Sequence, residues 1–470
     1  MNHRKFNSFY RLTIISLFLV LLSCGKKNNS GIEHKDDLRS KFKISGDNFV
    51  PDAKGIITIP IELDKIEGVN AMAIQKSGSN LFSEQIQSKD LSLKYSYQYK
   101  ITHEDPQSFK LVFNLIYSDG TKSNSVYITV INKHGFFIRN LVRVARVTGN
   151  ALSSEDFPSP NNTAVKWDVG GTDLGIIWEM KAGKYGLFFG DTFGADFKPN
   201  PQKPGPNGGN WRSNVLAFSG STNLDSGIIF SEMVTGNNSR AKELIAGHQA
   251  GLPTSIPTAA VNANGADYVH YFNTDPIIAG VRFYYSGLYR SVDEGRTWSK
   301  VESVFFSSDS KFALAGYWKK EGYVYMIGTP AYRDKPAYLA RFKESDIENQ
   351  NDYEYWNGDK GGWIKGDENS AAVLIPGTVG ELSFLYNETF KKWIIVYGDI
   401  GHGFVSLRTA NDITGPWSDV IELVSPKEYP MHYGPYLHPF SSKGNFLYFN
   451  LSMWGWYNVF LMRAEMISRE

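Results

Sequence analysis

Asp173 and Asp191 are the residues whose type and spacing most readily suggest chemistry. They flank two short runs, Gly170-Gly171-Thr172-Asp173-Leu174-Gly175-Ile176-Ile177-Trp178 and Tyr185-Gly186-Leu187-Phe188-Phe189-Gly190-Asp191-Thr192-Phe193-Gly194, joined by Lys181-Ala182-Gly183-Lys184. A short glycine-containing loop between apolar runs predicts a hairpin, and folding about Ala182 carries both acids to the same end of it. Opposed positions of an antiparallel pair have Cβ atoms about 5 Å apart, where like charges are destabilising. Two carboxylates kept there are either solvated on a wet edge or used. The turn bears on which: a three-residue turn puts both side chains on one face, whereas a two-residue turn at Ala182-Gly183 pairs Asp173 with Thr192 and turns Asp191 away.

Paired acids suit glycoside hydrolysis, in which one carboxyl protonates the leaving oxygen while the other activates water or attacks the anomeric carbon. Proximity also raises one pKa, so that an acid survives near neutral pH. Further candidates surround the pair. Trp211-Arg212-Ser213-Asn214 follows a stretch rich in Pro, Gly and Asn, Lys198 to Asn210, with the composition of a lid or cleft wall. Arg212 suits a substrate oxygen, or a surface carboxylate. Glu381, at the end of Gly377-Thr378-Val379-Gly380-Glu381, and the segment Tyr433 to His438 open later units; either can equally be structural. Trp211, Trp318, Trp363, Trp454 and Trp456 lie in loop-like contexts that suit sugar stacking.

Other chemistries find little footing. The nine histidines are scattered without a His-x-x-x-His pair, and Cys24 is the only cysteine, so no metal pattern is visible. No dinucleotide or phosphate-loop fingerprint calls for a cofactor, and the Gly-x-Ser-x-Gly elbow of serine hydrolases is absent. A net charge of +1 argues against nucleic acid as a partner.

The elements that must position these residues follow from the chain in order. His3, Arg4, Lys5 and Arg11 precede an apolar run from Leu12 to Leu22 that is too short to span a bilayer comfortably and fits a signal peptide. Its end, Leu21-Leu22-Ser23-Cys24, resembles the lipobox of bacterial lipoproteins, which implies cleavage before Cys24, lipid on its sulfur and an outer-membrane anchor. Residues 24–40 then read as a polar tether. Over 41–133, alternating runs such as Gly55 to Leu63, Leu91 to Tyr97, Phe109 to Tyr117 and Ser125 to Ile131 predict an immunoglobulin-like β-sandwich, with a spacer role.

From 134 to 470 the chain is rich in aromatics and glycine, with brief helical character only at Glu344 to Gln350. Five units begin near Gly171, Pro257, Phe312, Glu381 and Tyr433. Each has an opening strand followed by an aromatic-dense one, read as an inner strand, such as Tyr268 to Phe272, Tyr323 to Ile327, Trp393 to Tyr397 and Phe446 to Asn450. Repeats of that kind predict an all-β, five-bladed β-propeller. Ser291-Val292-Asp293-Glu294-Gly295-Arg296-Thr297-Trp298 matches the Asp-box pattern, a turn that packs its tryptophan into a propeller blade.

With these segments in view, Thr172 to Gly175, Phe189 to Phe193, Trp211 to Leu216, Gly380 to Ser383 and Tyr436 to Pro439 together resemble the signature of the endo-D-arabinanase family of glycoside hydrolases, formerly a domain of unknown function. The resemblance spans about Val142 to Met466. It implies a five-bladed propeller that cuts internal linkages of an arabinofuranan, such as the α-1,5-linked D-arabinan of mycobacterial arabinogalactan and lipoarabinomannan. The family's two essential aspartates fall on Asp173, in the base-type role, and Asp191, in the acid-type role. Arg212, Trp211, Asn214, Glu381, Tyr433 and His438 are the expected substrate contacts, with no cofactor or metal and with a monomer as the default. The alternatives are a non-catalytic glycan-binding lipoprotein and a sialidase-like hydrolase.

Overall fold

The computed structural model describes residues 39–50, 56–77, 83–100, 105, 108–131, 135–200, 202–275, 282–358 and 361–468. Cys24 and the expected leader lie outside these residues.

Residues 42–131 form two sheets around one core. Strands Phe42–Ile44, Ile56–Leu63 and Lys94–Lys100 make a three-stranded sheet. Asn48–Phe49, Val126–Ile131, Ser108–Tyr117, Val69–Lys76 and Ser83–Gln87 pair in that order in a five-stranded one. The alternation of strand Ile56–Leu63 buries Ile57, Ile59, Ile61 and Leu63 while its intervening residues stay more accessible, as a sheet with one packed face requires. These side chains meet Leu111, Phe113 and Leu115 of the facing sheet.

The rest of the chain folds into five antiparallel sheets. The first runs through Leu174–Lys181, Lys184–Phe189, Val215–Ser219 and Phe230–Met233, and the second through Thr254–Ala263, Ala266–Thr274, Phe283–Ser291 and Ser299–Ser307. The third begins at Leu314–Lys320 and the fourth at Leu382–Asn387. The fifth orders His432–Leu437, Phe446–Met453 and Asn458–Ser468 and is completed by Phe136–Arg146 from the start of the region. The opening strands of consecutive sheets touch one another, and that of the fifth returns to that of the first. They enclose a cavity of about 360 Å³ lined by residues of all five, among them Ile177, Ala260, Tyr317, Phe384 and Leu437.

Two expectations change. The aromatic-dense runs are the second strands of their sheets, not the innermost ones; Tyr268, Val324, Ile394 and Phe449 pack between neighbouring sheets, which is why they are so apolar. A five-residue helix, Thr163–Trp167, forms where no helical period was visible, while Glu344–Asp346 is a single 3₁₀ turn. The Asp box closes as its sequence suggests: Asp293 accepts from Ser291 Oγ at 2.8 Å, from the Thr297 amide at 2.9 Å and from Thr297 Oγ1 at 2.6 Å. Trp298 then packs edge-on against Phe188 of the first sheet, with centroids 5.1 Å apart.

Candidate functional site

Because every opening strand starts at the same end of the sheets, the loops joining second to third strands also gather there. That mouth holds both aspartates. The hairpin that presents them has the two-residue turn, with Lys181 opposite Lys184 and Gly183 at a φ of 75°. Its register does not continue unbroken. One bulge lies between Glu179 and Lys181, and a second between Leu174 and Ile176. The second is built from consecutive left-handed residues, Leu174 at 69° and Gly175 at 80°, a strained arrangement for leucine of the kind that collects at functional sites. Together the bulges slide the strands, so that Asp173 lies across from Gly190, whose amide donates to the Asp173 carbonyl at 3.1 Å. The expected pairing of Asp173 with Thr192 does not form, because two bulged residues displace it.

Asp173 is enclosed. Tyr433 donates its hydroxyl to Oδ2 at 3.0 Å, and Oδ1 is buried without a hydrogen-bond partner. Gly190 leaves room for it: a Cβ there would stand 2.4 Å from Oδ1. Burial first, and then the neighbouring Asp191 charge, push its pKa up to about 8; the Tyr433 bond opposes them, Glu381 adds to the rise and Arg333 lowers it. Asp191 starts the long loop between the second and third strands of the first sheet and is 8% exposed. Trp211 Nε1 donates to its Oδ1 at 2.8 Å and Thr254 Oγ1 to the same oxygen at 2.6 Å. Burial raises its pKa to about 6, held there by those two donors against the Glu243 charge. Burial and the Asp191 charge thus hold Asp173 above Asp191, whose anion its two donors favour.

The walls of the mouth come from several sheets. Trp211 is sandwiched between His248, at 3.8 Å between centroids, and Phe193, at 6.1 Å. Opposite, Trp454 and Tyr457 occupy the turn of the fifth sheet, 5.7 Å apart and nearly perpendicular, and the loop from 198 to 210 rests Gly205 on Trp454. Burial and the charges of both aspartates drive the Tyr457 phenol far above its ordinary pKa, so it remains a neutral hydroxyl. Glu381 is ion-paired with Arg333, whose guanidinium lies 5.8 Å from the centre of the Tyr433 ring. Arg333 and its neighbour Tyr332 are both left-handed, at 61° and 80°.

Thus Asp173, Asp191, Trp211, Glu381 and Tyr433 meet at one mouth, and three expected contacts do not. Arg212 is buried and donates to the carbonyls of Ala241 at 2.9 Å and Asp168 at 2.7 Å; it pins loops rather than facing a ligand. Asn214 uses its whole amide on backbone, giving to Ile245 and Ser255 and accepting from Leu244 and Ile245. His438 lies past the far end of the strand that starts at His432, five residues from Tyr433 and so some 15 Å away at about 3.3 Å per residue. It is buried between Tyr185 and Phe440, accepts from the Phe440 amide, and burial holds its pKa down at about 3. Sequence reasoning also missed Arg333, Tyr457 and Thr254. Only the adjacency of Tyr332-Arg333 to a strand end could have signalled Arg333; Thr254 and Tyr457 carry no local sign.

A family model described as "Domain of unknown function (DUF4185)" matches residues 158–463, a span that includes every residue of this mouth. Notoamide biosynthesis cluster protein J from Aspergillus sp. (strain MF297-2) is 27% identical over 316 residues, 62% of this chain and 81% of that protein. Among solved structures, a putative hydrolase from Bacteroides ovatus ATCC 8483 overlaps 64% of this chain and 86% of its own, at 14% identity and a TM-score of 0.45. A family 117 glycoside hydrolase produced by the marine bacterium Zobellia galactanivorans overlaps 71% and 91%, at 12% identity and a TM-score of 0.41.

Proposed function

The chain belongs to the DUF4185 family, and from the mouth that this domain frames we propose that it is a glycoside hydrolase. Its substrate is an arabinofuranan cut at internal linkages, in the first instance the α-1,5-linked D-arabinan that the sequence resemblance points to. What supports the reading above all is the unlike setting of two carboxyls in one mouth, Asp173 raised to about 8 and Asp191 to about 6. Asp173, protonated at neutral pH, gives its proton to the leaving oxygen. Asp191 is the carboxylate that activates water or attacks the anomeric carbon. This is the reverse of the roles carried over from the family resemblance. Since burial raises both acids, it follows from the Asp191 charge that raises Asp173 further and from the two donors, Thr254 and Trp211, that hold Asp191 lower. Trp454 offers a ring to furanose units, Trp211, stacked between His248 and Phe193, holds Asp191 through its indole N–H, and Arg333 and Tyr433 orient hydroxyls beside the acid.

The five sheets, their touching opening strands and the return of Phe136–Arg146 to the last sheet support a five-bladed β-propeller over 134–470. Two sheets whose first strands divide between them, with Asn48–Phe49 parallel to Val126–Ile131, support an immunoglobulin-like sandwich over 41–133. In this reading residues 1–23 are a lipoprotein leader, 24–40 a tether, and Cys24 the lipid anchor of a monomer at the outer membrane. The test is incubation with mycobacterial arabinogalactan. New reducing ends and oligosaccharides are expected from the wild type and none from Asp173→Asn or Asp191→Asn. Binding without new reducing ends would make this a glycan-binding protein instead.

A further inference from the structure

Asp399 and His402 stand on the turn between the second and third strands of the fourth sheet, Lys392–Asp399 and Phe404–Ala410, at the same end of the sheets as the two aspartates. The turn is tied to the strand that carries Glu381: the amides of Gly380 and Gly398 donate to the carbonyls of Gly398 and Glu381 at 2.8 and 3.0 Å. The Arg333 stem lies over the same place, within 3.4 Å of where a side chain on Gly380 would begin. The turn that carries Asp399 and His402 is therefore next to Glu381, which is paired with Arg333, and Arg333 in turn lies beside the Tyr433 that bonds Asp173.

The Asp399 side chain is only 5% exposed, yet no lysine or arginine among the described residues pairs with it. Oδ2 accepts from His402 Nδ1 and from Ser406 Oγ, both at 2.8 Å, and Oδ1 accepts from the His402 amide and from Thr378 Oγ1, both at 3.2 Å. The turn does not need the imidazole to close. Gly403 already donates to the Asp399 carbonyl at 2.7 Å, and the Gly401 amide to Thr378 Oγ1 at 2.6 Å. What the bond to Nδ1 accomplishes is orientation. With the carboxylate accepting, the proton of the neutral ring sits on Nδ1 and the lone pair on Nε2. The His402 side chain is 54% exposed, and its ring lies at 30° to that of Phe404, 5.1 Å away. An imidazole held in one tautomer by Asp399, with its acceptor nitrogen unpartnered among the described residues at the end of the sheets that carries the two aspartates, is complementary to a hydroxyl donor.

We propose that His402, aimed by Asp399, is an outer subsite that takes a hydroxyl of the glycan at a sugar unit beyond those held between the acids. Asp399 is the positioning residue and His402 the contact. The proposal rests on the glycan reading above and gives that reading an extended cleft, as cutting within a chain requires.

The test compares wild type with His402→Ala on linear arabinan oligosaccharides from the shortest that is cleaved up to an octasaccharide. His402 is at the surface, so the variant is expected to fold normally. Loss of one hydrogen bond should lower kcat/KM about three- to tenfold on the long substrates, mostly through KM, and leave the shortest unchanged. Equal loss at every length, or none, overturns the subsite while leaving the hydrolase standing. A second arm reads the site without turnover. Asp191→Asn protein labelled with ¹⁵N-histidine is titrated with the octasaccharide and then with fragments of other neutral polysaccharides. Movement of the His402 Nε2 resonance by any of them supports the subsite, whichever glycan is cut. If none moves it, or if only a divalent metal ion does, the proposal fails.

Discussion

Tyr433 and Asp173, 260 residues apart in the chain, are joined by a 3.0 Å hydrogen bond between the phenol and Oδ2. The bond runs from the fifth sheet to the first, whose opening strands touch. It is the direct support of a carboxyl whose other oxygen has none. Removing it with Tyr433→Phe should raise the Asp173 pKa above its present value of about 8, because the phenol stabilises the anion. The alkaline limb of the pH–activity curve should move upward, and kcat should fall about tenfold through loss of position. An unmoved limb would remove Tyr433 from the site.

The two carboxyls should give kcat/KM a bell-shaped dependence on pH, rising as Asp191 ionises near 6 and falling as Asp173 loses its proton near 8. Trp211→Phe keeps a ring between His248 and Phe193 but deletes a donor to Asp191, so the acid limb should shift upward while the alkaline one holds. Each Asp→Asn variant should lose about 10²–10⁴ in kcat.

Stability carries the same signature with its own sign. Asp173 is raised from 3.8 to about 8 in the folded protein, so the folded state retains a proton that the unfolded chain has released. Its contribution to stability is complete below about pH 4 and is lost as pH rises through about 8. Asp173→Asn removes that slope. The variant should match wild type in Tm near pH 4 and exceed it by pH 8, in thermal melts across that range.

Gly190→Ala offers a test that leaves both acids in place. The new methyl would press on Asp173 Oδ1 at 2.4 Å and Leu174 Cδ1 at 3.0 Å. A displacement of the carboxyl by that much should cost about a hundredfold in kcat, and overpacking about 1–3 kcal/mol in stability. Activity near wild type would mean that the position of Asp173 is not critical.

Arg212 should behave as a structural residue. Arg212→Met leaves the Ala241 and Asp168 carbonyls without their donor, at a cost of about 1–3 kcal/mol for each buried group left unpaired. Denaturant midpoints should fall, while KM in the folded fraction stays near wild type.

Sequence alone carried a good deal of this. Strand period, turn residues and the five-fold recurrence of an opening strand followed by an aromatic one reported the all-β architecture, since burying one or both faces of a sheet leaves its mark on every strand. The Asp box was legible because its partners lie within a few residues; the two aspartates stood out only by type and spacing, since Tyr433, Trp211 and Thr254, which bond to them, lie 260, 20 and 63 residues away. What no local pattern carried was the register of the hairpin. Two bulges, at Met180 and at Leu174-Gly175, undid the simple pairing, and a bulge depends on what packs against the strand. Leu174 donates its amide to Ser452, 278 residues away, at 2.7 Å. Nor could sequence separate Arg212, Asn214 and His438, which spend their polarity on buried backbone, from Arg333, Glu381 and Tyr433, which line the mouth. These residue types are alike in sequence. They differ in which atoms their side chains meet, and that is fixed by packing between sheets distant in the chain. The same packing gives two aspartates of one chemical type unlike surroundings, one bonded to Tyr433 and the other to Trp211 and Thr254.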